Sequence, residues 1–274
     1  MSNELSTTSL GKMFGITAKP FLFDFLISEG YLSYANKVYS LTPKGKDYGY
    51  IFHRDTEKWV LWYADKISPI IEGLKRQHLA ESDINPMLYH MTHINNLSSI
   101  LNNGLYSHSA VSSPFDISDK EVNSRRESPE PIHKRPIHDY VPLYFNVKNP
   151  MLFRVQKKYD DDIVILQFDK EVCLLKETLF TYNNAASTYA KFYYCVKKFS
   201  AEAQWDVINS KYWNEDYEIK LAVMSECLVL NHLDKNFIKS IHCRTLNTGN
   251  KIMALLQSAG QENINVYCES PLFF

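Results

Sequence analysis

Three apolar segments far apart in the chain each carry one residue suited to breaking a glycosidic bond. They are Leu88-Tyr89-His90-Met91-Thr92, Val141-Pro142-Leu143-Tyr144-Phe145 and Met224-Ser225-Glu226-Cys227-Leu228-Val229. Cleaving the link from nicotinamide to ribose produces an oxocarbenium-like cation. A protein that does so must hold the ribose, orient the leaving ring and place negative charge beside the developing positive one. A histidine can hydrogen-bond a ribose hydroxyl, a tyrosine face can stack on the pyridine ring, and a glutamate can engage a second hydroxyl while stabilising the cation. His90, Tyr144 and Glu226 are the candidates, each on a strand-like run whose alternation can aim it into a common cleft. Taken singly, each also has a structural reading: a core histidine, a packing aromatic among 18 tyrosines, an edge-strand charge. Glu226 resists that reading most, because Leu221 to Leu230 holds only Ser225 and Glu226 as polar members. A carboxylate buried there without a partner costs several kcal/mol, so the segment predicts either a cavity or a partner.

The elements that must position these residues divide in two. A chain of 274 residues suggests one large domain or two unequal ones, and 45% hydrophobic, 14% aromatic and 22% charged residues describe an ordinary globular protein. No stretch approaches the roughly 20 apolar residues of a membrane span, and the start lacks the basic and apolar regions of a signal peptide, so no membrane partner and a cytoplasmic location are expected. The five cysteines are widely spaced and mostly inside apolar runs, which reads as reduced core thiols, with no metal site. A formal net charge of -1 gives no global attraction to nucleic acid, so a polynucleotide partner would need a local groove.

Residues 1–80 form the first expected domain. Ser9 to Ile16 predicts a short helix stopped at Gly15, and Thr17 to Gly30 a second helix capped by Thr17, with Phe21, Leu22, Phe25 and Leu26 on its apolar face. Tyr31-Leu32 and Val38 to Leu41 read as short strands around Asn36. Helix, turn, helix and hairpin in that order resemble a small winged-helix unit of the kind found in phage regulatory proteins. Lys12, Lys19, Lys37, Lys44 and Lys46 could contact phosphate, but Asp24, Ser28 and Glu29 share the second helix, and protein contact or internal packing is the stronger expectation. Asp55 to Leu79 shows helical spacing through Trp59, Trp62, Tyr63, Ile67, Ile70 and Leu74, with Pro69 predicting a kink or two shorter helices. The polar stretch Gln77 to Pro86 is the expected boundary.

Residues 87–274 form the second. Strands are expected near 88–91, 141–146, 163–168, at Glu226 and near 264–268, and helices over 95–102, roughly 185–209 and 247–259, with a loop-rich region at 106–138. This order argues for an α+β domain, and no G-x-G-x-x-G cradle is present.

At these residues the segment from Leu88 to Phe274 resembles the DarT family of nucleic-acid ADP-ribosyltransferase toxins. The resemblance rests on Leu88 to Leu97, on Ile100 to Leu105, and on Ile137-His138-Asp139-Tyr140-Val141-Pro142-Leu143-Tyr144-Phe145 followed by Asn149-Pro150-Met151-Leu152. It extends to Phe180 to Ala186, Trp205 to Ile208 and Phe273-Phe274. It implies an ADP-ribosyltransferase fold of split antiparallel sheets with helices and a His-Tyr-Glu site. His90, Thr92 and Asn96 would bind NAD as co-substrate, Tyr144 would stack on nicotinamide, and Glu226 would be catalytic. The family's loop arginine falls at Arg125 or Arg126, where it could pair with pyrophosphate or polarise the target base. Tyr182 and Asn183 stand where an acidic residue and a glycine are usual, and Asn149 where an arginine-serine run is common, so the target base is not implied.

Thr178 to Ala222 is expected to form the loop and helices presenting the acceptor. Its aromatics interleaved with lysines suit unpaired bases, with Tyr182, Asn184, Lys191 and Tyr193 as the substrate-binding candidates. The expected reaction is transfer of ADP-ribose from NAD to a base in single-stranded DNA, with RNA as the second acceptor. The resemblance further implies a toxin whose mark a macrodomain-type hydrolase partner, the antitoxin, reverses. A protein-directed transferase and a non-catalytic NAD-sensing regulator are the remaining classes.

Overall fold

Local sequence signals set most element ends in the computed structural model, which describes residues 3–110, 116–117 and 124–274. The middle of the 106–138 loop region lies outside the described residues. The chain divides into two compact units, Met1–Ala80 and Glu81–Phe274.

In the first unit, β1 (Glu4–Ser6) leads into α1 (Thr7–Phe14), which Ser6 caps by accepting the Ser9 amide and Gly15 ends in the left-handed region at φ 66°. The expected second helix is shorter and broken. A π-helical turn at Ala18–Leu22 precedes α2 (Phe23–Ser28), Thr17 makes no side-chain cap, and Lys19 before Pro20 has extended angles. A residue preceding proline is pushed out of the helical region, which moves the start of the regular helix beyond Pro20. β2 (Leu32–Ala35) and β3 (Val38–Leu41) form the hairpin, turning at Asn36 and Lys37, both at positive φ.

The stretch expected to be helical from Asp55 is instead half hairpin: β4 (Gly49–Arg54) pairs with β5 (Glu57–Tyr63), and only α3 (Ala64–Ala80) is helical. Trp59, Trp62 and Tyr63 lie on β5, where Val60 and Trp62 are buried and Trp59 is exposed, a period of two that their three-and-four spacing disguised. The turn forms at Asp55 with φ 53°. Pro69 sits inside α3, which stays one helix instead of two. The unit's three-stranded sheet has the order β1-β5-β4.

The second unit is built on an eight-stranded sheet. Its strands are β6 (Met87–His93), β8 (Tyr140–Tyr144), β9 (Ile163–Asp169), β10 (Leu179–Tyr182), β11 (Lys191–Tyr193), β12 (Glu226–Leu230), β14 (Ile238–His242) and β15 (Asn265–Tyr267), in the order β11-β10-β12-β8-β6-β9-β14-β15. A small pair, β7 (Leu105–Tyr106) and β13 (His232–Leu233), lies apart from it. Every ladder is antiparallel except β14–β15. The β6–β8 ladder has one pair only, Tyr89 opposite Tyr144, whereas β6–β9 runs over seven. The sheet is thus two well-knit halves joined at a seam.

Among the described residues the unit also holds helices α4 (Ile94–Asn103), α5 (Pro150–Tyr159), α6 (Val196–Glu202), α7 (Trp205–Ile208), α8 (Tyr217–Ala222) and α9 (Leu246–Ala259). Asn149 caps α5 through the Met151 and Leu152 amides, with Pro150 in the first turn. The expected helical stretch at 185–209 contains β11, and only α6 and α7 are helical in it. Tyr193 on β11 pairs across to Phe180 and packs against Phe199, so burial on a sheet overrides the local pattern. The cysteines are all free, with the Cys173 and Cys227 sulfurs 3.9 Å apart in the core. Among the described residues no helix is long and apolar enough to cross a membrane.

Candidate active site

Glu226 opens β12, opposite Tyr144 on β8 and Thr181 on β10. Its backbone amide donates to the Thr181 hydroxyl at 3.1 Å, which fixes the strand end. The side chain is fully buried, and its partner is a cation: Arg126 donates from Nη1 to Oε1 at 3.2 Å and from Nη2 to Oε2 at 2.7 Å. The Ala185 amide adds a bond to Oε1 at 3.3 Å. This two-pronged pair satisfies the geometry that a buried carboxylate needs, and it answers the cost anticipated from the sequence with a partner. Burial pulls the Arg126 guanidinium down and Glu226 outweighs it, leaving the arginine held above its ordinary range.

Across the seam, His90 Nδ1 lies 2.9 Å from the Pro142 carbonyl oxygen. A carbonyl only accepts, so Nδ1 carries the proton and Nε2 is left with a lone pair. Burial lowers the His90 pKa, the Pro142 bond opposes that shift, and the Arg126 charge adds to it. Tyr144 is buried, and its phenol is pushed up first by that burial and then by Glu226, against the pull of Arg126 and Arg154. His90, Arg126, Glu226 and Tyr144 thus form one electrostatic group assembled from three strands and a loop.

The group faces a cavity of about 1170 Å³, above the roughly 300–1,000 Å³ of ordinary small-ligand sites. His90, Thr92, Asn96, Arg125, Arg126, Tyr144 and Asn184 line it, and Glu226 sits behind Arg126. Thr92 and Asn96 are buried and joined, the Asn96 amide donating to the Thr92 hydroxyl at 3.0 Å. Of the two candidate arginines, Arg126 holds Glu226, while Arg125 is exposed at the cavity edge. Asn184 turns its carbonyl oxygen to the Ala186 amide at 2.9 Å, shaping the turn that brings Ala185 to Glu226.

The other acceptor-side candidates lie outside the lining. The Tyr182 hydroxyl bonds Gln204 at 3.2 Å, Lys191 is exposed on an edge strand, and Tyr193 is buried with its pKa pushed up to about 12 by burial and a bond to Glu202. In their place the lining brings residues that sequence reasoning passed over. Phe153, Arg154 and Lys157 come from α5, and Lys211, Tyr212, Trp213, Tyr217 and Lys220 from the stretch before β12. Phe153, Trp213 and Phe274 meet edge to face, with centroids 5.5 to 6.3 Å apart. The i, i+3 pair Arg154 and Lys157 was the one available signal, a basic stripe on a short amphipathic helix. Among the described residues, six Lys and Arg side chains line the cavity against one carboxylate, Asp116, so these residues concentrate positive charge here in a chain of near-zero net charge.

Residues 89–274 match a family model described as "ssDNA thymidine ADP-ribosyltransferase, DarT". A fusion protein of Thermosipho africanus, named as a DNA ADP-ribosyl transferase joined to a DNA ADP-ribosyl glycohydrolase, is 28% identical over 193 residues, covering 68% of this chain and 49% of that protein. The present chain therefore spans about half the length of that relative. Among solved structures, DarT of Thermus sp. 2.9 in complex with ADP-ribosylated single-stranded DNA has a TM-score of 0.63 at 21% identity, covering 69% of this chain and 96% of that one. The same Thermus protein in complex with NAD+ has a TM-score of 0.59 at 22% identity, covering 69% and 98%. These structures share the fold of the second unit, and with a family match over more than half its length this chain belongs to the DarT family of single-stranded-DNA thymidine ADP-ribosyltransferases.

Proposed function

We propose that this chain transfers ADP-ribose from NAD to thymidine in single-stranded DNA. The observation that carries the reading is the Arg126–Glu226 ion pair, its carboxylate fully buried and its arginine at the wall of a large cavity lined by cationic side chains, with His90 and Tyr144 beside it. The cationic lining suits a pyrophosphate and a nucleic-acid backbone together, and the aromatic side chains at Phe153, Trp213 and Phe274 suit unstacked bases.

In this reading the neutral His90 accepts a ribose hydroxyl at Nε2, Tyr144 supports the nicotinamide ring, and Glu226 exchanges part of its bond to Arg126 for a ribose hydroxyl. The glycosidic C–N bond breaks with its electron pair leaving on nicotinamide. A ring nitrogen of the base then bonds to the ribose carbon and gives up its proton to solvent water, with Glu226 balancing the positive charge between the two steps. A base paired in a duplex has that nitrogen engaged, which favours the unpaired strand.

The proposed biological role is that of a toxin. The glycohydrolase fused to the Thermosipho relative supports an antitoxin partner that removes the mark. The added unit 1–80 delivers the catalytic unit to its target or contacts that partner. A chain lacking it that transfers and is neutralised normally would defeat both roles.

Incubating the protein with labelled NAD and separate pools of single-stranded DNA, duplex DNA, RNA and lysate protein tests the main reading. Label is expected in single-stranded DNA, in a thymidine adduct by nucleoside mass spectrometry. Label confined to RNA or protein would overturn it.

A further inference from the structure

The loop that carries Arg126 is closed by a second buried carboxylate that the reaction above does not use. Between Arg126 and β8 the chain folds back on itself. The His138 amide donates to the Arg126 carbonyl at 3.1 Å, the Ile137 amide to the Ser128 carbonyl at 3.2 Å, and Pro129 and Pro136 form an isolated antiparallel bridge. Arg126 is thereby fastened at its backbone to the entry of the strand that ends in Tyr144.

The tip of this loop, Pro-Glu-Pro-Ile-His-Lys-Arg-Pro from Pro129 to Pro136, closes with one backbone bond, the Glu130 amide to the Arg135 carbonyl at 2.8 Å, and its three prolines have no amide to extend that into a regular ladder. Glu130 supplies what the ladder lacks. It is 1% exposed and accepts the Ile132 amide at 2.6 Å, the His133 amide at 2.9 and 3.0 Å, the Arg135 amide at 3.0 Å and the Tyr140 hydroxyl at 3.2 Å. The neighbouring cation turns elsewhere: Arg135 pairs with Glu177 at 2.9 Å. Three amides and a phenol are therefore the partners of the Glu130 carboxylate, and the phenol comes from the first residue of β8. Burial and the Glu130 charge both push the Tyr140 phenol up, which keeps it a donor.

We propose that Glu130 is a positioning residue of the transfer reaction, holding Arg126 in register with Glu226 by tying the loop tip to the start of β8. This rests on the reading that the Arg126–Glu226 pair works the transfer. The requirement is for a carboxylate: glutamine keeps the size but puts an amide donor where only donors converge.

The test uses the full chain, NAD and a thymidine-containing single-stranded oligonucleotide. Glu130→Gln should lower kcat roughly ten- to hundred-fold, since small misplacements at a catalytic pair have such effects. KM for NAD should move by less than about threefold. A loss through general destabilisation would add to other losses; a loss through Arg126 would not. In an Arg126→Lys background, Glu130→Gln should therefore cost no further activity. Tyr140→Phe removes one donor and keeps the core filled. It should cost kcat a factor of roughly two to ten, about one neutral hydrogen bond, and this loss too should vanish with Arg126→Lys.

A wild-type kcat in Glu130→Gln, or losses that multiply with Arg126→Lys, would overturn the proposal. Should Glu130→Gln fail to fold, Tyr140→Phe decides by the same two criteria. If the unsubstituted chain makes no thymidine adduct, the proposed function fails; if it does and Glu130→Gln matches it, only the positioning role fails.

Discussion

The two halves of the large sheet bury polar groups in opposite ways. In the half formed by β11, β10, β12 and β8, the buried polar pair is ionic, Arg126 on Glu226, and it opens on the cavity through its arginine. In the half formed by β6, β9, β14 and β15, the buried polar cluster is neutral. His242 Nε2 meets the Ser240 hydroxyl at 3.0 Å and Nδ1 the Ser270 hydroxyl at 2.9 Å, with Ser240 donating onward to Gln167 at 2.6 Å and the ring stacked on Tyr267. A neutral cluster with every partner fixed adds rigidity and has nothing to exchange with a ligand. An ion pair at a cavity wall keeps a charge ready that a ligand can share, at a desolvation cost the fold must carry.

The sharpest way to break this contrast is to remove the cation. Arg126→Ala leaves Glu226 buried without its counter-charge and should destabilise the protein by about 3–5 kcal/mol, read by chemical denaturation at neutral pH. A change below 1 kcal/mol would mean that the pair is not the tie it resembles. Next in size, Glu226→Gln should keep the fold by circular dichroism and slow transfer roughly 100- to 1,000-fold, the usual cost of losing one group that stabilises transition-state charge. Transfer at the unsubstituted rate would take Glu226 out of the chemistry.

The neutral cluster around His242 should answer to pH in stability and not in activity. Burial pushes His242 down from 6.5 to about 4. The unfolded chain therefore takes up a proton at this site before the native protein does. The stabilisation is whole above pH 6.5 and is lost as pH falls toward about 4, a loss of about 3 kcal/mol. Comparing denaturation midpoints at pH 7 and pH 4 in the native and His242→Gln proteins checks this, since the variant should lose that part of the acid sensitivity.

The smallest effect belongs to the seam. The His90 pKa lies below its ordinary 6.5, chiefly through burial, and the neutral ring is the working form, so transfer should fall only on an acid limb below that pH. Because the Arg126 charge contributes to the lowering, replacing Arg126 with alanine should move the limb upward in a pH–rate profile of the residual activity. A limb that stays put would separate His90 from the ionic half.

Much of this architecture was legible because the signals are short-ranged. Gly15 and the apolar runs around Glu226 and Ile163 to Phe168 each announce an element by the chemistry of a few neighbours, whereas the helix that Asn149 caps ahead of Pro150 was not anticipated. Where the reading failed, two periods competed. Trp59, Trp62 and Tyr63 satisfy a helical spacing, and only the turn at Asp55 and the burial of Val60 with Trp62 select the strand. Tyr193 and Lys191 look like base contacts in a run of aromatics and lysines, but pairing with β10 takes one into the core and the other to an edge.

By itself the sequence determined which residue types were available for the chemistry and where the strands that carry them begin, because alternation, caps and turn residues act over a few positions. Tertiary structure alone decided that Arg126 and not Arg125 meets Glu226, that α5 and the stretch before β12 supply the cationic wall, and that Glu130 is enclosed by amides. Those outcomes depend on groups up to a hundred residues apart meeting within 3 Å or so, a distance set by sheet register at the seam and by loop closure, neither of which any local pattern encodes.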